Sequence, residues 1–373
     1  MMRRIAIAGA SGVIGSAAVE TFAAAGFDVL AISRRAPIVE AGTAFTHVPL
    51  DLLDAAACQA AITRHGPVSH LVYAAVTEAP GLAAGWSDAS LISANARMFA
   101  NLAEPLAHTL EWAGLMQGTK AYGAHLHPIR IPAREDAPRD RHANFYFEQE
   151  DTLRALSAHH GFCWTVLRPQ IVVGSAPGAA MNPVAAIGAY AAICRELGRA
   201  FSYPASGPLV WEIADAGLIA RCLLWATGDE AAHGQIFNLT NGDAFVLHDD
   251  WDDIAAALGL RAGAPRPGGI AEFLDSPEAC TAWQHLAARE NLRHRHLGDL
   301  LGQSHRYVDL LLNEEVIAKR SLPTLVSTIK ARRAGFGECR DSLSSLMDWL
   351  GRMADLRLLP PTPVCPGFAR AGR

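Results

Sequence analysis

The sequence predicts an α/β protein, a parallel sheet covered by helices on both faces, followed by a mainly helical lobe. Three observations carry this. Short apolar runs alternate with helix-forming segments from Arg4 to Leu167, three glycines stand at positions 9, 12 and 15 directly after the first run, and beyond Gly174 the chain turns helical and proline-punctuated. Strands buried on both faces read as continuous apolar runs, which is the pattern seen here.

The elements follow in order. Arg4-Ile5-Ala6-Ile7-Ala8 is short, apolar and cut off by a glycine turn, so the preceding Arg3 is read with a first strand and not with a secretory leader. Ile14 to Ala25 is a helix ending at Gly26, and Phe27 to Ile32 is the second strand. Val48-Pro49-Leu50 is expected as the third strand, Leu53 to Arg64 as a helix and His70 to Ala75 as the fourth strand. Ala113 to Met116 and Trp164 to Leu167 are two more strands with a helix from about Phe147 to His160 between them, so the sheet has at least six strands. Ile236 to Leu239 is a candidate for a return to the sheet, and amphipathic helices broken at Gly259, Gly263, Pro265, Pro267 and Gly268 follow Asn241. The expected organisation is a nucleotide-binding domain over 1–175, with 205–245 as a candidate completion of its sheet, a helical substrate lobe over 176–359 and an irregular tail over 360–373.

Composition narrows the partners. In 373 residues, half of them hydrophobic, 32 basic and 37 acidic side chains leave a formal charge of −5, which offers no footprint for nucleic acid or an anionic membrane. A small molecule is the expected partner. The seven cysteines are scattered and form no CxxC pair, which argues against a disulfide framework or a zinc site and for a reducing cytoplasm. The longest apolar stretch, Ala179 to Cys194, is bounded by Gly178 and Arg195 and falls short of the roughly 20 residues of a membrane span. His125, His127, His159 and His160 lack ligand spacing, and no metal is expected.

Gly9-Ala10-Ser11-Gly12-Val13-Ile14-Gly15 has the GxxGxxG spacing between a strand and a helix. Glycine there allows a tight turn, close approach of pyrophosphate to backbone and close helix–sheet packing, while the helix N-terminus faces the phosphate charge. This is the dinucleotide-binding turn of a Rossmann-type domain. The second strand ends Ser33-Arg34-Arg35, where an NAD-preferring site has an acidic residue; two guanidinium groups suit the 2′-phosphate of NADP(H), and a solvated loop is the plainer alternative. Asp51-Leu52 is expected near the adenine, with a helix cap as the other reading of Asp51. Ala74, Ala75 and Ile171 complete the expected cofactor contacts.

Gln117-Gly118-Thr119-Lys120-Ala121-Tyr122, Asn144-Phe145-Tyr146-Phe147-Glu148-Gln149-Glu150-Asp151, Arg168-Pro169, Met181-Asn182-Pro183, Tyr190 to Cys194 and the run from Phe336 to Trp349 together resemble the progesterone 5β-reductase and iridoid synthase-like (PRISE) enzymes. These are an atypical extended branch of the short-chain dehydrogenases. The resemblance implies an NADP-dependent reductase of an activated C=C bond, a homodimer, Lys120 as the site lysine, and a catalytic tyrosine at the second aromatic of the NFYY segment. That position is Phe147 here, and Tyr146 matches the first.

A phenol near the substrate oxygen stabilises the charge that hydride delivery creates, and phenylalanine cannot. Three outcomes follow: Tyr146 or another hydroxyl takes the role, the reaction needs no strong acid, or redox chemistry is lost. Carbonyl reduction makes an alkoxide that needs its proton at once, whereas conjugate reduction makes a delocalised enolate, so Phe147 favours an enone. Val76, Phe145, Tyr146, Phe147 and Met181 are expected to line an apolar substrate pocket. Tyr122 and Asn95 are weaker candidates, with packing and sheet-edge hydrogen bonding as their plainer readings. The leading expectation is an NADPH-dependent enone reductase; the alternatives are a lyase, aldolase or isomerase working through an enolate, and a non-catalytic NADPH sensor.

Overall fold

β1 (Arg4–Ala8) is buried from Ile5 onward and ends at Gly9, after which α1 (Val13–Ala24) begins. The structure, a computed structural model, describes residues 3–78, 82, 84–312 and 323–362; the expected tail lies outside the described residues from 363 on. β2 (Asp28–Ile32) follows, then β3 (Thr46–Val48), which stops where Pro49 has no N–H to give the ladder. The third strand therefore lies two residues earlier than the sequence pattern suggests. α2 (Ala55–His65) runs from an Asp54 cap to Gly66, and β4 (His70–Tyr73) ends before Ala74. α3 (Ala89–Leu106), β5 (Trp112–Met116), α4 (Phe145–His160) and β6 (Cys163–Pro169) continue the alternation.

The chain divides into two compact units. The first comprises 1–170, 216–240 and 324–339. It holds a seven-stranded parallel sheet in the order β11-β6-β5-β4-β1-β2-β3, with β11 (Gln235–Leu239) returning to the edge beside β6. Strand order reverses between β1 and β4, which pair from Ile5–His70 to Ala8–Tyr73. Open sheets of this kind bind ligands at such a reversal, outside the carboxyl ends of the strands. α1 packs against α6 (Ala216–Ala226), and the small Ala17, Ala18, Ala216 and Ala220 of the two helices are buried. α2, α3 and α4 pack in sequence and bury Leu71, Tyr73, Phe99, Leu102, Leu115, Leu153 and Val166 in one cluster.

The second unit comprises 171–215, 241–323 and 340–373, and is mainly helical. Its helices include α5 (Pro183–Glu196), α7 (Trp251–Ala257), α8 (Ala271–Leu274), α9 (Pro277–Arg289), α10 (Leu297–Leu301), α11 (Ser304–Leu312) and, after α12 (Ile329–Arg333) of the first unit, α13 (Ser342–Asp355). Three two-stranded pieces accompany them: β7 (Ile171–Val173) with β10 (Ile213–Asp215), β9 (Val210–Trp211) with β12 (Phe245–Val246), and β8 (Phe201–Ser202) with β13 (Ala262–Gly263). No described helix is long and apolar enough to cross a membrane.

Candidate active site

The glycine turn is built by contact. Gly9 has φ +78°, and a Cβ on it would stand 2.7 Å from the Ala74 carbonyl and the Ala75 nitrogen, so only glycine lets β1 turn against the end of β4. A Cβ on Gly15 would collide with the Gly9 carbonyl. Gly12 is the N-cap of α1 and supplies no side-chain hydrogen bond, while the first helical turn, Val13 to Gly15 onward, has no acidic residue. The start of α1, with its dipole and no side-chain cap, fits a pyrophosphate at the strand-order reversal, with half-buried Ser11, Val13 and Ile14 in the same loop and first turn.

Arg34 and Arg35 are exposed in the bend after β2, and neither has an ion-pair partner among the described residues. The bend is held by the Ser33 hydroxyl, which donates to the Arg35 carbonyl at 2.6 Å, and by His47 Nε2, 3.0 Å from the Ser33 carbonyl oxygen. Asp51 is exposed and accepts from the Leu53 N–H at 3.0 Å; the cap of α2 is Asp54, which accepts from Ala57. Leu52 is buried beside it.

Lys120 sits on a 3-10 turn, Thr119–Tyr122, directly after β5, half-buried at the carboxyl end of the sheet. Its Nζ lies 3.5 Å from the centroid of the Trp86 ring. The same ring meets Tyr146 at 5.2 Å, edge-on, and Phe145 at 4.8 Å. The Tyr146 hydroxyl lies over the Lys120 turn, since a Cβ at Gly118 would stand 3.5 Å from it. Trp86 thus joins the two groups that the sequence offers for chemistry, Lys120 and Tyr146.

Phe147 is placed elsewhere. Its ring meets His142 at 5.5 Å and carries the Arg139 guanidinium at 5.1 Å. Successive residues on a helix point about 100° apart, so only one of the pair can face Lys120. Glu150, four residues on from Tyr146 and three from Phe147, is buried and meets Arg139 at 3.0 Å, Arg154 at 2.9 Å and Arg168 at 3.4 Å. Gln117 ties this network to the site: its Nε2 donates to the Tyr146 carbonyl at 3.0 Å and its Oε1 accepts from Arg168 at 2.8 Å. Burial pushes the Glu150 carboxyl up, but the hydrogen bond from Arg139 and the surrounding guanidinium charges hold it below its ordinary range.

α4 is entered through Asn144, whose Oδ1 accepts from the Tyr146 N–H at 3.0 Å and whose Nδ2 donates to the Lys120 carbonyl at 3.1 Å. The cap thus fixes the lysine turn and the tyrosine together. Asn144 is met in turn by His142, held by Asp140 at 2.7 Å.

The remaining expected residues have other surroundings. Tyr122 is buried, with its hydroxyl donating to Asn238 Oδ1 at 2.6 Å and its ring 5.0 Å from the Arg168 guanidinium, and burial holds its phenol above the ordinary range. Asn95 clamps the loop after β4 through the Thr77 N–H at 2.9 Å and the Thr77 carbonyl at 3.0 Å. Val76 is 41 % exposed in that loop. Ile171 and Met181 belong to the second unit, where Ile171 opens β7 and Met181 precedes the Asn182 cap of α5. Among the described residues no cluster of His, Cys, Asp or Glu could hold a metal, and the described cysteines are unbridged.

Two residues of the site were not among the sequence candidates. Glu78 accepts from the Trp86 indole N–H at 2.9 Å, and its other carboxylate oxygen is buried with no hydrogen-bond partner among the described residues. The available signal for Glu78 was its place in the loop after a sheet strand; Trp86 had none.

Comparison with known proteins decides the family. Residues 5–240, from β1 to the end of β11, match the NAD dependent epimerase/dehydratase family. The chain belongs to the NAD dependent epimerase/dehydratase family. A short chain dehydrogenase of Penicillium aethiopicum is 31% identical over 273 residues, covering 67% of this chain and 70% of its own. The (S)-8-oxocitronellyl enol synthase of Catharanthus roseus is 26% identical over 381 residues, 95% of this chain and 92% of that one. The 3-oxo-Delta(4,5)-steroid 5-beta-reductase of Arabidopsis thaliana is 26% identical over 376 residues, with 95% and 92% coverage. Within the epimerase/dehydratase family the chain therefore groups with the progesterone 5β-reductase and iridoid synthase-like enzymes, and it is an oxidoreductase of the NAD(P)-dependent kind.

Proposed function

We propose that this protein is an NADPH-dependent reductase of an apolar α,β-unsaturated carbonyl compound, with Tyr146 and Lys120 as the groups that meet the substrate oxygen. The observation that carries the reading is the Trp86 ring in contact with both side chains at the carboxyl end of the sheet. The glycine turn at 9–15 and the start of α1 without a side-chain cap fit the pyrophosphate, and the exposed Arg34 and Arg35 fit a 2′-phosphate. When bound, NADPH supplies the hydride, which this reading sends to the β-carbon.

Lys120 contributes a positive charge in a water-poor setting, where an ammonium stabilises a developing enolate far better than it would in bulk water. Tyr146 offers a hydrogen bond to the same oxygen. Trp86, Ile92 and Phe145 provide apolar surface near them, consistent with a substrate that is mostly hydrocarbon around one carbonyl. Names of relatives point the same way, since a 3-oxo-Delta(4,5)-steroid is itself an enone. The test is NADPH consumption with a panel of cyclic and acyclic enones and the matching saturated ketones. Turnover of enones with retention of the carbonyl is expected; reduction of the saturated ketones, or carbon–carbon cleavage without loss of nicotinamide absorbance, would overturn the reading.

A further inference from the structure

We propose that Glu78 is a positioning residue for Lys120: with the Trp86 indole it forms a cradle that holds the lysine as an ammonium at one place beside Tyr146. The inference rests on the role given to Lys120 above and adds a residue to it. Its basis is geometric. Trp86 presents its N–H edge to Glu78 Oε2 at 2.9 Å and its face to Lys120 Nζ at 3.5 Å, so one ring fixes the anion and the cation relative to each other. A carboxylate that accepts from the indole N–H also draws positive charge to the edge and leaves the ring face more negative, which strengthens its hold on the ammonium.

Glu78 Oε1 is the second observation. It is buried and lacks a hydrogen-bond partner among the described residues, a costly arrangement for a carboxylate unless a nearby cation offsets it. Burial pulls Lys120 down to about 8 while the Glu78 charge opposes that fall. Burial likewise pushes Glu78 up, and Lys120 and the Trp86 hydrogen bond oppose it. Without the Glu78 charge that opposition to burial is lost, and the lysine value would drop further. The other groups that can titrate around this ring are Tyr146 from α4, His125 from the segment after the lysine turn, 5.9 Å from Trp86, and His142 from before α4, 5.1 Å from His125.

The sign follows directly. Turnover that needs the ammonium is present below the lysine value and falls as pH rises through about 8. Glu78→Gln keeps the shape and an oxygen for the indole N–H but removes the charge, so the alkaline limb of kcat moves to lower pH by about 1 unit or more. Trace acetylation of Lys120 by acetic anhydride across pH, read by mass spectrometry, reports the same midpoint without substrate or cofactor. Both measurements are expected to shift together in Glu78→Gln, to return toward wild type in Glu78→Asp, and to shift less in Trp86→Phe, which keeps the ring face. An unchanged Lys120 midpoint in Glu78→Gln and Trp86→Phe would overturn the inference. Wild-type turnover in Lys120→Ala would overturn the reading beneath it, and the acetylation titration tells the two failures apart.

Discussion

Replacing Tyr146 by phenylalanine removes one oxygen and leaves the rest of its surroundings in place. The backbone N–H still meets the Asn144 cap, the carbonyl still accepts from Gln117, and the ring keeps its contacts with Trp86 at 5.2 Å and Phe145 at 4.7 Å. The fold should therefore be little affected, while the site loses a donor to the substrate oxygen. Loss of one such preorganised donor costs about 2.7 to 4 kcal/mol, roughly a 100- to 1,000-fold fall in kcat. Phe147→Tyr is the companion variant, because the resemblance to relatives places a catalytic phenol there. In the structure that ring lies between His142 and Arg139, so a new hydroxyl points into a polar rim and kcat should stay within about threefold of wild type. Steady-state kinetics on one enone for wild type, Tyr146→Phe and Phe147→Tyr, with melting curves on the same preparations, decide the matter. Near-wild-type kcat in Tyr146→Phe, or a tenfold gain in Phe147→Tyr, would refute the assignment of the two aromatics.

Arg34→Ala/Arg35→Ala should weaken NADPH binding by roughly 10- to 100-fold and leave NADH binding nearly unchanged, since each charge-assisted hydrogen bond to a phosphate contributes about 1.5 to 3 kcal/mol before screening at an exposed site; calorimetric titration of both cofactors checks it. Glu150→Gln leaves the buried Arg168 without its carboxylate and should destabilise the sheet-bearing unit by about 3 kcal/mol, or roughly 6 to 12 °C in melting temperature. The Glu150 carboxyl lies below its unfolded value of 4.5, so its contribution is fully present above that pH and fades as pH falls through the lower folded value. The gap between wild type and Glu150→Gln in denaturant melts should accordingly hold constant above pH 5 and narrow below 4.5.

The parts of the fold that were legible in the sequence are those set by local constraints. Gly9 reports a turn because only a residue without Cβ fits between β1 and Ala74, and that constraint is visible in the spacing of three glycines. The parallel sheet shows in apolar runs separated by helix formers, and its errors are local too: β3 ends at Val48 because Pro49 lacks a donor, and α4 starts at Phe145 because Asn144 caps it. Lys120 was legible through its motif and its place after a strand. Glu78 was not, because an acidic residue in a loop reads as solvated surface until Trp86, eight residues on, donates to it and the Lys120 charge comes near.

Helix α4 shows why the site was harder to read than the fold. Its inward positions are Phe145, Gln149, Glu150 and Leu153, so two of the four are polar and one is charged. A periodicity traced through apolar residues gives Phe145, Tyr146 and Phe147 equal standing and cannot decide which ring faces the sheet. The buried side of the helix is held by three arginines that come from the loop before α4, from α4 itself and from β6, and converge on Glu150. That carboxylate lies within one turn of both Tyr146 and Phe147, and what ties the tyrosine to this network of sequence-distant charges is Gln117. A substitution at Arg168 should therefore disturb the tyrosine without touching it, through Gln117, whose side chain binds both the guanidinium and the Tyr146 carbonyl.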